Sequence, residues 1–144
     1  MQAILSSFRA QKRKFSLACV FALAVAMTAC ATVKPVDSTI VTSLAQLKTQ
    51  IPNLYAQFLQ DPVPTQAIDD VRTQLTIIKS RSDAREGKTS KFSDAVAAIQ
   101  DTFELQVAAR QKAIWKQVDV DDYGKSIVAM VQAALDLENQ RPNN

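Results

Sequence analysis

The side chains of this chain best able to do chemistry are carboxylates. Asp69, Asp70, Asp101 and Glu104 are the acids a hydrolytic mechanism would draw on, because two carboxyls in unlike environments can serve as general acid and general base. Nothing in their spacing places them across a cleft, and acids on helix faces are ordinarily solvated or paired with Lys or Arg three or four residues away. A second acidic run, Asp119-Val120-Asp121-Asp122-Tyr123-Gly124, has oxygen donors at its first and third positions and a glycine at its sixth, an order that suits a turn around a hard cation. Histidine is absent, which removes the commonest general base and the commonest transition-metal ligand. Glycine occurs only at Gly87 and Gly124, so no glycine-rich phosphate loop can form. These residue types argue for a protein that is not an enzyme and holds no metal or bound cofactor.

The remaining reactive groups are thiols, Cys19 and Cys30. Both follow from the start of the chain, where Arg9, Lys12, Arg13 and Lys14 precede an apolar run from Phe15 to Met27 broken only by Ser16. Charged, apolar, then small is the order of a secretion leader. The run is 13 residues long, short of the roughly 20 needed to cross a bilayer as a helix. Met27-Thr28-Ala29-Cys30 resembles the lipobox of bacterial lipoproteins: an aliphatic residue, two small residues, then cysteine. Leucine is commoner than methionine at the first position. The resemblance covers residues 1–30 only. It implies a diacylglycerol on the Cys30 thiol, cleavage between Ala29 and Cys30, and acylation of the new amine. Two or three acyl chains hold a small domain on a membrane where one chain would not. In the enteric lipoproteins that the segment resembles, aspartate after the cysteine favours the inner membrane; Ala31 stands there instead, which implies the outer membrane, facing the periplasm.

Loss of the leader changes the electrostatics. The whole chain carries a formal charge of +3, but four of its 17 basic residues lie in the leader and all 14 acidic residues lie after Cys30, leaving a mature balance of −1. The basic character that would hint at nucleic acid therefore belongs to the discarded part, and no nucleic-acid partner is expected. With Cys19 removed and Cys30 lipidated, no thiol remains for a disulfide, so the mature domain of about 115 residues must be held by packing.

The elements that position these groups follow from apolar spacing. After a tether, Ala31–Asp37, in which Pro35 discourages helix, Asp37 or Ser38 caps a first helix whose stripe is Ile40, Leu44, Leu47, Ile51, Leu54 and Phe58. Pro52 falls inside it and predicts a kink or a break. Pro62 and Pro64 make a turn, after which Thr65 caps a second helix with Ile68, Val71, Leu75 and Ile78 inward and Gly87 as its stop. A third helix is predicted from about Ser90 to Val118, with Phe92, Val96, Ile99, Phe103, Val107, Ile114 and Val118 on its inner face and Arg110 interrupting the series. A fourth begins at Asp121 or Asp122 and runs to about Asn139, with Ile127, Met130, Val131, Ala134 and Leu137 as its core. The expected fold is an all-α antiparallel, up-down four-helix bundle. The chain divides into a removable leader (1–29), the lipidated cysteine and tether (30–37), the bundle (38–140) and a polar tail (141–144).

In that frame the acidic run resembles the start of an EF-hand calcium loop, but Tyr123 and Met130 occupy the fifth and twelfth positions, where an oxygen ligand and a bidentate glutamate are required. It reads as a capped turn between helices. Trp115, Tyr123, Tyr55 and Phe58 are the aromatics that either close the ends of the core or present a partner or ligand surface. Arg110 is either a charge facing a groove or a snorkelling arginine at the edge of the stripe. The expected function is a membrane-anchored periplasmic lipoprotein that acts as a non-catalytic interaction module for an envelope protein. The alternatives are a carrier of a small apolar ligand, which requires an oversized cavity lined by residues such as Phe103 and Ile99, and an accessory lipoprotein like the pilotins that escort secretin subunits, or like an immunity protein.

Overall fold

The computed structural model describes residues 34–88 and 90–142; Ala29, Cys30 and the rest of the leader lie outside the described residues. Four helices make up the fold: α1 (Ser38–Gln57), α2 (Thr65–Glu86), α3 (Lys91–Lys112) and α4 (Gln117–Asn139). Each packs on two neighbours, α1 on α2, α2 on α3, α3 on α4, and α4 back on α1. The result is the expected antiparallel up-down bundle, each helix roughly 30–35 Å long. The tether, the α2–α3 turn and the end of α4 share one end, called basal here. The α1–α2 and α3–α4 connections share the other, apical end.

The local signals act largely as their chemistry dictates. Asp37 Oδ1 accepts hydrogen bonds from the Thr39 and Ile40 amides at 2.9 and 3.3 Å, which satisfies two of the donors left open at the start of α1. All six residues of the α1 stripe are buried to 2 % exposure or less. The helix passes through Pro52 uninterrupted, which corrects the expectation of a break. Proline withholds only one amide from the ladder, and it does so on the exposed side of the helix. Ahead of α2 the cap position is Pro64, and Thr65 is the first helical residue rather than the cap. At its far end Gly87 adopts φ +85° and ψ 160°, a conformation essentially confined to glycine, while its amide donates to the Asp83 carbonyl at 3.0 Å. Ser90 Oγ caps α3 by accepting from the Ser93 amide at 3.0 Å.

The boundary between α3 and α4 differs from the spacing-based expectation. α3 ends at Lys112, residues Ala113–Lys116 are non-helical, and α4 begins at Gln117. Ile114 and Val118, expected inside, are 53 % and 57 % exposed. The physical cause is Asp119, whose Oδ2 accepts the Lys116 amide at 2.7 Å and starts α4 several residues early. Trp115, at the centre of the corner, turns inward and is buried. The acidic run therefore lies wholly inside α4.

The two glycines predict opposite outcomes. A Cβ on Gly124, within α4, meets only Tyr55 Cδ2 at 3.9 Å, an ordinary contact, so Gly124→Ala should stabilise the bundle by about 0.5–1 kcal/mol. Gly87→Ala should destabilise it by about 1–3 kcal/mol, because alanine is strained at that backbone geometry. Chemical denaturation of the two variants checks both signs.

Candidate functional site

The aromatics singled out in the sequence assemble at the apical end, mostly inside it. Tyr55 stacks on Phe58 with centroids 5.2 Å apart, and Trp115 stands edge-on to both at 5.2 and 5.0 Å. Phe103 lies beyond Tyr55 at 6.4 Å, and Tyr123 leans on Trp115 at 4.8 Å. Edge-on and offset pairs of this kind are favourable beyond their burial. Tyr55 and Phe58 have no exposed surface, so they are core residues and not part of a free partner surface; Tyr123 is 38 % exposed. The Tyr55 hydroxyl donates to Gln106 Oε1, and burial pushes its pKa far above the ordinary tyrosine value.

Arg110 corrects the expectation most sharply. It neither faces a groove nor snorkels: it is 2 % exposed. Its Nε donates to the Phe58 carbonyl and its Nη2 to the Gln60 carbonyl, both at 2.6 Å, and Nη2 also bonds Asp61 Oδ1 at 2.7 Å. The guanidinium thus satisfies carbonyls left open past the C-terminal end of α1 and brings a positive charge to the negative end of that helix. It ties α3 to the α1–α2 connection.

The carboxylates imagined as a catalytic group are spread over the surface. Arg72 bridges two of them: its Nε and Nη2 meet both oxygens of Glu104 at 2.6 and 2.7 Å, and its Nη1 meets Asp69 at 3.0 Å. Asp70 accepts from Gln66 at 2.9 Å, and Asp101 is exposed. This is a bidentate surface ion pair joining α2 to α3. In the acidic run, Asp119 caps α4 and Asp121 accepts from Gln117 at 2.8 Å. A helix cannot wrap its carbonyls around a cation as a loop does, and no group of three or more acidic, histidine or cysteine side chains is placed to hold a metal ion among the described residues.

A charge cluster at the basal end was not anticipated. Glu138, with no exposed surface, accepts the Asp37 amide at 2.8 Å and bonds Arg85 Nη2 through both oxygens at 2.8 Å. Arg85 also bonds Glu86 at 2.8 Å, and Arg141 reaches Glu86 at 2.6 Å. Arg141 Nε lies 2.8 Å from Glu138 Oε2 without the alignment of a hydrogen bond, and its guanidinium sits 5.9 Å from the Phe92 ring centre. Arg81 meets Asp37 at 3.3 Å. Three arginines and three acids from the tether, α2, α4 and the tail are thus joined. The signal was present in the sequence: Ser82 and Arg85 continue the α2 stripe, and Glu138 lies four residues past Ala134 on the α4 stripe.

Burial alone would raise the Asp37 carboxyl, but the Ile40 and Thr39 amides and the Arg81 guanidinium outweigh it and hold the pKa below its ordinary value. Burial likewise opposes Arg141 and Arg85 at Glu86, and the arginines prevail.

With this geometry in place, comparison with known proteins returns no match: no family model, no curated protein and no solved structure is similar to the chain.

Two outcomes follow from the cluster. Removing one partner of a buried ion pair leaves the others uncompensated, so Glu138→Ala should cost about 3–5 kcal/mol in equilibrium unfolding. A carboxyl whose pKa is depressed on folding contributes stability above its unfolded pKa and loses it as pH falls through its folded pKa. Denaturation midpoints should therefore decline as pH drops through and below the ordinary carboxylate range, and Asp37→Asn should flatten that decline.

Proposed function

We propose that this chain is a lipid-anchored, non-catalytic protein-interaction module of the bacterial cell envelope, held at Cys30 and placed on the periplasmic face of the outer membrane. Support for the anchor comes from the Met27–Cys30 pattern. No described helix is long and apolar enough to cross a membrane. The observation that carries the interaction reading is the apical corner. Ala113–Lys116 seats Trp115 in the core and leaves Ile114, Val118 and Tyr123 outside, at 53 %, 57 % and 38 % exposure. Large apolar side chains on a rigid corner are what a protein partner buries. The corner lies at the end of the bundle opposite residues 34–37.

The ligand-carrier alternative draws no support from the interior. Phe103 and Ile99 have no exposed surface and pack into the core. The cleft lined by Pro52, Val120, Asp121, Gly124, Lys125 and Val128, about 280 Å³, is an open groove between α1 and α4.

Affinity capture from detergent-solubilised membranes tests the reading. The wild-type protein should recover one dominant envelope protein, and the Ile114→Asp, Val118→Asp double variant should lose it while keeping its unfolding midpoint. Recovery of the same protein by the variant would move the contact elsewhere. The anchor is checked by intact mass: Cys30→Ser should abolish the acyl increment and accumulate unprocessed chain.

A further inference from the structure

We propose that the basal end is a bilayer-contact surface, on which the exposed Lys34, Lys88 and Lys91 lie against anionic phospholipid headgroups and set which end of the bundle faces the membrane. The inference rests on the lipid anchor at Cys30 and adds the surface that anchor brings down.

The first argument is reach. The described part of the tether is bonded to the bundle at Val36 and Asp37. The Val36 amide donates to the Pro142 carbonyl at 3.2 Å, and the Asp37 amide donates to Glu138 at 2.8 Å. Among the described residues Val36 is the first with a backbone bond to the far end of the chain, and it is six residues from Cys30, a span of at most about 20 Å fully extended. Lipid on Cys30 thus keeps the basal end close to the headgroups.

The second argument is charge. The acids of the basal cluster are spent on its arginines: Asp37 on Arg81 and Arg85, Glu86 on Arg85 and Arg141, Glu138 on Arg85 and Arg141. Asp83 is bonded to Lys79. Lys34 on the tether, Lys88 in the α2–α3 turn and Lys91 at the start of α3 are exposed, and none has a carboxylate within ion-pair distance among the described residues. Asp94, one turn along α3, and Asp136, in the last turn of α4, are the exposed acids left to offset them, so the three lysines exceed them by one charge. At the apical end Asp119, Asp121 and Asp122 balance Lys112, Lys116 and Lys125, and Arg110 is paired with Asp61. The net positive end is the one the tether leaves from. A few lysines near an anionic leaflet are attracted too weakly to hold a protein there alone. Once acyl chains supply the affinity, the same attraction suffices to choose an orientation.

The test uses the full lipidated protein inserted into preformed vesicles, with acylation of lysine amines read by mass spectrometry. In vesicles of phosphatidylethanolamine and phosphatidylglycerol, Lys34, Lys88 and Lys91 should react at least about threefold more slowly than in phosphatidylcholine vesicles, with the difference erased by high salt. Lys112, Lys116 and Lys125 should react alike in both and serve as internal controls. Equal basal rates in the two vesicle types, with acyl chains confirmed by intact mass, overturn the surface and leave the anchor standing. Absence of acyl mass overturns both. Protection of the basal lysines in whole cells but not in anionic vesicles overturns the bilayer as occupant and assigns the surface to another envelope component.

Discussion

Glu138 is the residue on which the lower half of the bundle converges. A carboxylate without solvent contact is tolerated only when charge and hydrogen bonds surround it, and here they come from three directions: the Asp37 amide of the tether, the Arg85 guanidinium of α2 and Arg141 of the tail. Each of those groups belongs to a different part of the chain, so Glu138 ties the tether, α2 and the tail to the end of α4. A purely apolar end would bury comparable surface with less regard for register. The network is not fully satisfied: Arg85 Nη1 and Arg141 Nε make no hydrogen bond among the described residues.

The two ends of the molecule solve the same problem by different means. Helix termini leave backbone groups open. At the apical end Arg110 answers the carbonyls of the α1–α2 connection, and the aromatic cluster fills the space beneath it. At the basal end the tether and tail cover the helix ends and charged side chains hold them down. Between the two, the interior is built from the aliphatic stripes of all four helices.

Those stripes were legible in the sequence because spacing by three and four residues is a property of each segment alone. Ile40 through Phe58, Ile68 through Ile78 and Phe92 through Val107 all lie where that spacing placed them. What failed was what depends on a partner distant in the chain or on a local competitor. Ile114 and Val118 prolong the α3 spacing by fours, and only the Asp119 cap shows that the helix has already ended. Arg110 looked like an interruption because its acceptors, Phe58 and Gln60, lie about fifty residues away. Arg85 and Glu138 did not stand out, for the same reason: each charge at a stripe position is intelligible only beside the other. The candidate aromatics were picked out by residue type, and residue type alone could not tell Tyr55, sealed under Trp115, from Tyr123, which keeps one side in water.

The bond from Val36 to Pro142 brings the two strands of chain that flank the bundle side by side. Together with the packing of α4 on α1, it turns a linear order of helices into a closed circuit. A circuit has no privileged starting point: the polypeptide could be opened at the α2–α3 turn and rejoined between residues 142 and 34 by a short splice, with every helix keeping both neighbours. A peptide grafted into the Ala113–Lys116 corner would be displayed at the opposite pole from one fused after Pro142.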